Sequence, residues 1–247
     1  MRNVCIFTII CLIVISGCSG SKKESVPKLK PLSFKFTPPS NTNESNDITI
    51  GLLSPIFVDT FKEYLQDPYK TYAKNMESDF IAMLTARGYK IKGPYDNMEQ
   101  LVYGDKKEID LLIQPVIDLQ FTGEVLKQGS IHDYVTAKDY ITYYYDGDLS
   151  MVGTMNLSFA EPFTNTKVLV RSLKTEPVTF KMKSYNAYDD TNIPLTDPLV
   201  WNSLSDNLTK VYDKTLQTVW NNLEPAELQQ KKNESAEIKK NSGFIKN

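Results

Sequence analysis

Between Ile109 and Thr122 the chain keeps a period of two. Ile109, Leu111, Ile113, Ile117, Leu119 and Phe121 interleave with Asp110, Gln114, Asp118, Gln120 and Thr122. A helix with 3.6 residues per turn would scatter these side chains around its axis, whereas a strand sends every second one to the same side. The run therefore calls for a sheet with one buried and one wet face, the usual condition of antiparallel pairing. Pro115 within it has no N–H to give to a ladder, so an edge position or a bulge is expected there.

The same alternation marks a first strand at Ile48, Ile50 and Leu52, ending near Pro55. It returns at Met151, Met155, Leu157 and Phe159, over Val168 to Leu173, and at Val178, Phe180 and Met182. Asp146-Gly147 and Asn165 supply turn residues between these runs. Two stretches switch to helical spacing. Asp67-Pro68 offers an N-cap and a favoured first helical residue ahead of Tyr72, Met76, Phe80, Met83 and Leu84, and Gly88 closes that helix. Asp197-Pro198 opens the second, whose stripe is Trp201, Leu204, Leu208, Val211, Val219 and Leu223. The expected fold is α+β: an antiparallel-rich sheet with two long helices packed on one face, forming a single domain over 47–224. With 41% hydrophobic residues in a chain of 247, such a domain can bury a sizeable core.

The N-terminus bears on compartment. Arg2 precedes an almost wholly apolar run from Val4 to Ser16. Thirteen helical residues span about 20 Å, short of a hydrocarbon core of roughly 30 Å, so the run fits a signal-peptide h-region better than a membrane span. Ile15-Ser16-Gly17-Cys18 follows, an aliphatic residue and two small ones before a cysteine, and resembles the lipobox of bacterial lipoproteins. That resemblance implies cleavage after residue 17, a diacylglyceryl group on the Cys18 thiol, and a membrane partner reached through lipid. Ser19 stands where inner-membrane retention usually places Asp, which favours the outer membrane. Cys5 and Cys11 leave with the signal peptide and Cys18 is consumed by lipid, so no free thiol is expected in the mature domain.

Residues 18–46 read as a lipidated flexible tether and 225–247 as a polar C-terminal tail. Residues 19–46 hold five Lys against two Glu, and the tail five Lys against three Glu. Basic ends thus flank an acidic body. Attraction of those ends to anionic headgroups and simple solvation both account for the lysines. A formal net charge of -2 argues against a nucleic-acid partner.

Catalytic patterns are scarce. No G-x-S-x-G, Walker A, G-x-G-x-x-G or H-E-x-x-H string occurs, and the single histidine, His132, sits beside Asp133 in a polar stretch with no identifiable nucleophile. The acids Asp139, Asp146, Asp148, Asp189 and Asp190 lack calcium-loop spacing and read as solvated turns. No enzyme activity and no cofactor are expected. The more suggestive group is Tyr143, Tyr144 and Tyr145, followed by Asp146 and Asp148. Strand alternation puts Tyr143 and Tyr145 on one face and Tyr144 on the other. Aromatic faces stack on sugar C–H surfaces and carboxylates accept from sugar hydroxyls, so these five residues form a candidate glycan- or protein-contact patch. Tyrosine is also an ordinary strand former.

Several strings, in this order, resemble the neuraminyllactose-binding hemagglutinin lipoproteins. They are the lipobox at Cys18, Ile50-Gly51-Leu52-Leu53-Ser54-Pro55-Ile56-Phe57, Gly88-Tyr89-Lys90-Ile91, the strand Leu111 to Leu119, and Leu157-Ser158-Phe159-Ala160-Glu161-Pro162. The resemblance spans roughly residues 48–223. It implies an outer-membrane or flagellar-sheath lipoprotein acting as an adhesin for sialylated host glycans. The family's basic sialic-acid segment corresponds here to Thr122–Tyr140, which carries only Lys127 and Lys138. A carboxylate is best held by converging donors, and the linear sequence shows no such cluster. The alternative expectation is a structural envelope lipoprotein bound to another envelope protein.

Overall fold

The computed structural model describes residues 27–39, 45–58, 66–184, 186–188 and 192–243. Cys18 and the apolar run before it lie outside them, as do Asp189 and Asp190. Among the described residues, eight strands and four α-helices follow one another as β1 (Thr49–Leu53), β2 (Ile56–Phe57), α1 (Tyr69–Ala86), β3 (Lys90–Tyr95), α2 (Tyr103–Glu108), β4 (Leu111–Thr122), β5 (Leu126–Asp133), β6 (Lys138–Ala160), β7 (Lys167–Lys174), β8 (Val178–Lys183), α3 (Pro198–Trp220) and α4 (Pro225–Asn241). The sheet order is β3-β1-β4-β6-β5, with β2 also on β4, and β7 and β8 also on β6. Pairings of β6 are antiparallel, while β1 and β2 join parallel, so the sheet is mixed but antiparallel-rich.

The periodic run is β4, and its odd-numbered side chains enter the main core. Leu111, Ile113, Ile117 and Leu119 meet Ile50 and Leu52 of β1 and Met155, Leu157 and Phe159 of β6 there, under Phe80 and Met83 of α1 and Leu204, Leu208 and Val211 of α3. Each such side chain contributes about 1.5–3 kcal/mol on burial. The second long helix begins as its sequence implies, with Asp197 as N-cap and Pro198 as first residue, whereas α1 starts one residue later than expected, with Pro68 in the N-cap position and Asp67 just before it. Asp67 Oδ1 accepts from Thr71 N at 3.1 Å, and Asp197 Oδ1 accepts from Leu199 N at 2.8 Å. Gly88 ends α1 with a φ of 83°, a conformation that a side chain would strain.

Pro115 is central, not at an edge. One flank of β4 pairs with β1 at Leu111–Ile113 and with β2 at Val116–Ile117. The missing donor falls in the gap between them, where the Gln114 side chain bonds Ser54 O at 3.0 Å instead. Its other flank runs against β6 in unbroken register, so no bulge is needed.

Asp146-Gly147 is likewise no turn. β6 passes straight through it, pairing Asp146 with Lys183 and Gly147 with Met182 of β8. The glycine serves a close approach: a Cβ there would lie 2.7 Å from Glu124 O and 3.2 Å from Val125 Cα, where the chain crosses from β4 to β5. Gly147→Ala must push backbone against backbone, and a loss of about 2 kcal/mol is expected in urea unfolding. Stability unchanged from wild type would contradict this close approach.

Two segments read as loose ends carry buried side chains. Phe34 and Phe36 of the supposed tether enter the core, with Phe34 5.2 Å from the Tyr72 ring and 5.4 Å from the Tyr212 ring. The supposed polar tail is mostly α4, which buries Leu228, Ser235 and Lys239. Lys239 Nζ donates to Ile109 O at 2.8 Å and to Lys106 O at 3.0 Å, capping the end of α2, and Ser235 Oγ donates to Asp110 O at 2.7 Å. Such polar anchoring leaves no apolar stripe in the sequence.

Candidate ligand-binding face

The tyrosine cluster is divided by the sheet it helps to build. Tyr145 belongs to the core at 3% exposure. Tyr143 points to the same side and is half-buried, its backbone bridged to Tyr188. The Tyr188 hydroxyl donates to Asp197 Oδ2 at 2.7 Å; burial, then this carboxylate, pushes it up to about 12. Tyr143 and Tyr145 thus lie on the core side of β6. Tyr144, Asp146 and Asp148 are brought together on the opposite, open face at successive even positions of β6, with Tyr144 39% exposed.

Directly paired residues of antiparallel strands share a face, so neighbouring strands complete this surface. Lys127 of β5 stands opposite Tyr144, Lys183 of β8 opposite Asp146, and Lys181 of β8 opposite Asp148. Lys181 Nζ lies 3.9 Å from Asp146 Oδ1, a solvent-exposed diagonal pair that contributes little stability. Thr179 and Ser150 form the next rung, with their hydroxyls 3.3 Å apart. The result is a ladder of one aromatic ring, three ammonium groups and two carboxylates facing solvent. Linear reading found the ring and the acids; it missed Lys127, Lys181 and Lys183 as their neighbours, which only the register of β6 with β5 and β8 supplies.

Beyond Tyr144, β5 and β6 continue as a two-stranded arm. Its turn carries Tyr134 and Val135, exposed by 89% and 93%. His132 pairs with Asp139, not with Asp133, at Nδ1–Oδ1 2.8 Å. Asp133 instead closes the turn, accepting from Thr136 Oγ1 at 2.6 Å and Val135 N at 2.8 Å; these bonds, the hydroxyl first, hold it below the usual carboxylate range.

A separate open groove of about 680 Å³ lies along α3, lined by Phe36, Lys174, Glu176, Asp213 and Gln217 among others. Burial and then the charge of Asp79 push the Asp213 carboxyl up. Among the described residues no group of three or more His, Cys, Asp or Glu side chains is placed to hold a metal ion, and no helix is long and apolar enough to cross a membrane.

No protein-family model matches the chain, and no curated protein matches it. Among solved structures, a protein of Xanthomonas campestris aligns at 12% identity over 83% of this chain and 99% of its own, with a TM-score of 0.35. A minor lipoprotein of Acinetobacter baumannii aligns at 12% identity over 74% and 95%, with a TM-score of 0.31. A neuraminyllactose-binding hemagglutinin homolog from Helicobacter pylori aligns at 13% identity over 82% of this chain and 99% of its own, with a TM-score of 0.57, a likeness of fold.

Proposed function

We propose that the chain is a non-catalytic, lipid-anchored protein of the bacterial outer membrane that binds acidic glycans through the open face of β5, β6 and β8. The observation that carries this reading is the exposed ladder of Tyr144 beside Lys127, Lys183 and Lys181, with Asp146 and Asp148 between the cations. A tyrosine face stacks on a sugar ring, an ammonium meets a sialate carboxylate, and a carboxylate accepts from hydroxyls. Lysines hold carboxylates as point charges rather than as a planar fork, so a single site is weak, and many copies on one surface supply avidity. The name of the Helicobacter pylori homolog supports the same ligand class.

A glycan array probed with the purified domain tests this. Sialylated glycans should be retained over neutral ones, and Tyr144→Ala should weaken retention about tenfold, as losing a stacking contact of about 1.4 kcal/mol implies. Lys183→Glu should remove the preference for acidic sugars, while Tyr143→Phe should leave binding unchanged. Equal retention by wild type and Tyr144→Ala would move the site elsewhere.

One observation favours a second reading, an envelope protein partner. β5 ends the sheet order, so its outer edge presents backbone groups onto which another strand can pair. Crosslinking in intact cells would then recover a stoichiometric protein partner through β5.

A further inference from the structure

The arm and the start of the described chain emerge at the same end of the molecule. The base of the arm is fixed to the N-terminus of α3, because Tyr188 bridges Tyr143 and donates to Asp197. Residues 28–36 lie along α3 in the reverse direction. Phe34 sits against Tyr212, Trp201 Nε1 donates to Lys30 O at 2.9 Å, and Asn202 Nδ2 donates to Lys28 O at 3.0 Å. Followed back toward Pro27, the chain thus heads for the arm end. Nine Cα-to-Cα steps lead from Pro27 back to Cys18, a reach of at most about 30 Å. The eight paired residues of β5 extend the arm about 27 Å. The two reaches are alike.

The tip is built for an apolar surface more than for water. Tyr134 and Val135 are the most exposed large hydrophobic side chains among the described residues, and Ile131, Tyr140 and Ile141 behind them are about half exposed. Register puts Ile131 and Tyr140 on one face and Ile141 on the other, so the collar surrounds the arm. Polar side chains there are largely hydrogen-bonded in place: Asp133 is turned into its own loop and His132 sits on Asp139, while Lys138, opposite Asp133, is exposed. Aromatic and aliphatic side chains with satisfied polar neighbours are the composition of the membrane–water interface.

We infer that Tyr134 and Val135 enter the headgroup region of the same bilayer that holds the Cys18 lipid, so that lipid and arm together fix the orientation of the domain. This rests on the lipid-anchored reading above. With the tip immersed, Tyr144 stands about 20 Å from it, and the open face looks sideways, clear of the headgroups.

A nitroxide at Val135→Cys in the full-length, lipidated protein tests it, in vesicles of phosphatidylethanolamine and phosphatidylglycerol. The comparison label is Lys167→Cys, beside Ala160 at the far end of β6. Accessibility to oxygen relative to a water-soluble nickel chelate should rise about threefold at position 135 over position 167, as for a side chain buried several Å into the interface. Vesicle-bound protein whose label at 135 stays as open to nickel as that at 167 overturns the inference and leaves the anchor intact. Spin–spin broadening that disappears on dilution with unlabelled protein would place a second copy on the tip and also overturn it. Protein with unmodified Cys18 that remains in the supernatant overturns the anchoring itself, and the inference with it.

Discussion

Replacing Asp79 with alanine is expected to lower the unfolding free energy by about 3–4 kcal/mol. This carboxylate lies on α1 at 9% exposure and joins three parts of the chain. Oδ2 accepts from Phe36 N at 2.6 Å and from the Tyr212 hydroxyl of α3 at 2.5 Å. Alanine leaves both donors buried without that acceptor, at about 1–3 kcal/mol each. Asp213 offsets part of this, since its carboxyl is pushed up by burial and then by the charge of Asp79. Asp79→Asn keeps an acceptor oxygen and should cost about half as much. Urea unfolding reads the loss, and limited proteolysis at Lys28, Lys30 and Lys35 reads release of the docked segment. A loss below about 1 kcal/mol with those lysines still protected would show that the aromatic contacts of Phe34 suffice.

Much of the architecture was legible because burial repeats along a strand or helix. The odd positions of β4 and the stripes of α1 and α3 announce the main core, and Asp197-Pro198 announces the start of α3, but Ile109 and Leu112 are buried with Leu53 and Leu101 in a second, smaller cluster that the alternation does not report. Features set by distant chain segments were not legible. Gly147 belongs to a close approach with Glu124 and Val125, which locally resembles a turn signal. Pro115 is accommodated by a gap between two other strands. α4 is held by Lys239 and Ser235 reaching carbonyls at Ile109 and Asp110, more than a hundred residues away, and no local pattern reports such bonds. The candidate face divides in the same way. Alternation set Tyr144 apart from Tyr143 and Tyr145, but Asp146 and Asp148 share its face only because β6 runs straight through the expected turn, and Lys181 and Lys183 join them through a register between strands. Folding thus brings three lysines and two acids onto the face of Tyr144, an arrangement that no short stretch of sequence contains.

Cys18→Ala is expected to release the protein from the membrane. Two or more acyl chains contribute about 0.8 kcal/mol per buried methylene, enough for a lasting anchor where one chain is marginal. The described residues supply no spanning helix to replace it. Contact by Tyr134 and Val135 involves only two side chains, far less apolar surface than a diacylglyceryl group, so the arm orients the domain without holding it. Fractionation should move the variant almost wholly from membrane to soluble fractions while its circular dichroism stays that of wild type, since the core is built from residues that follow Cys18. A variant that still sediments with membranes would mean that protein contacts hold it there.

The mass of the N-terminal peptide of the wild-type protein, isolated from membranes, tests lipid anchoring most directly. A lipid-anchored chain gives a peptide that begins at Cys18 and carries a thioether-linked diacylglyceryl group. A peptide that retains residues before Cys18, or that begins there with a free thiol, would contradict it.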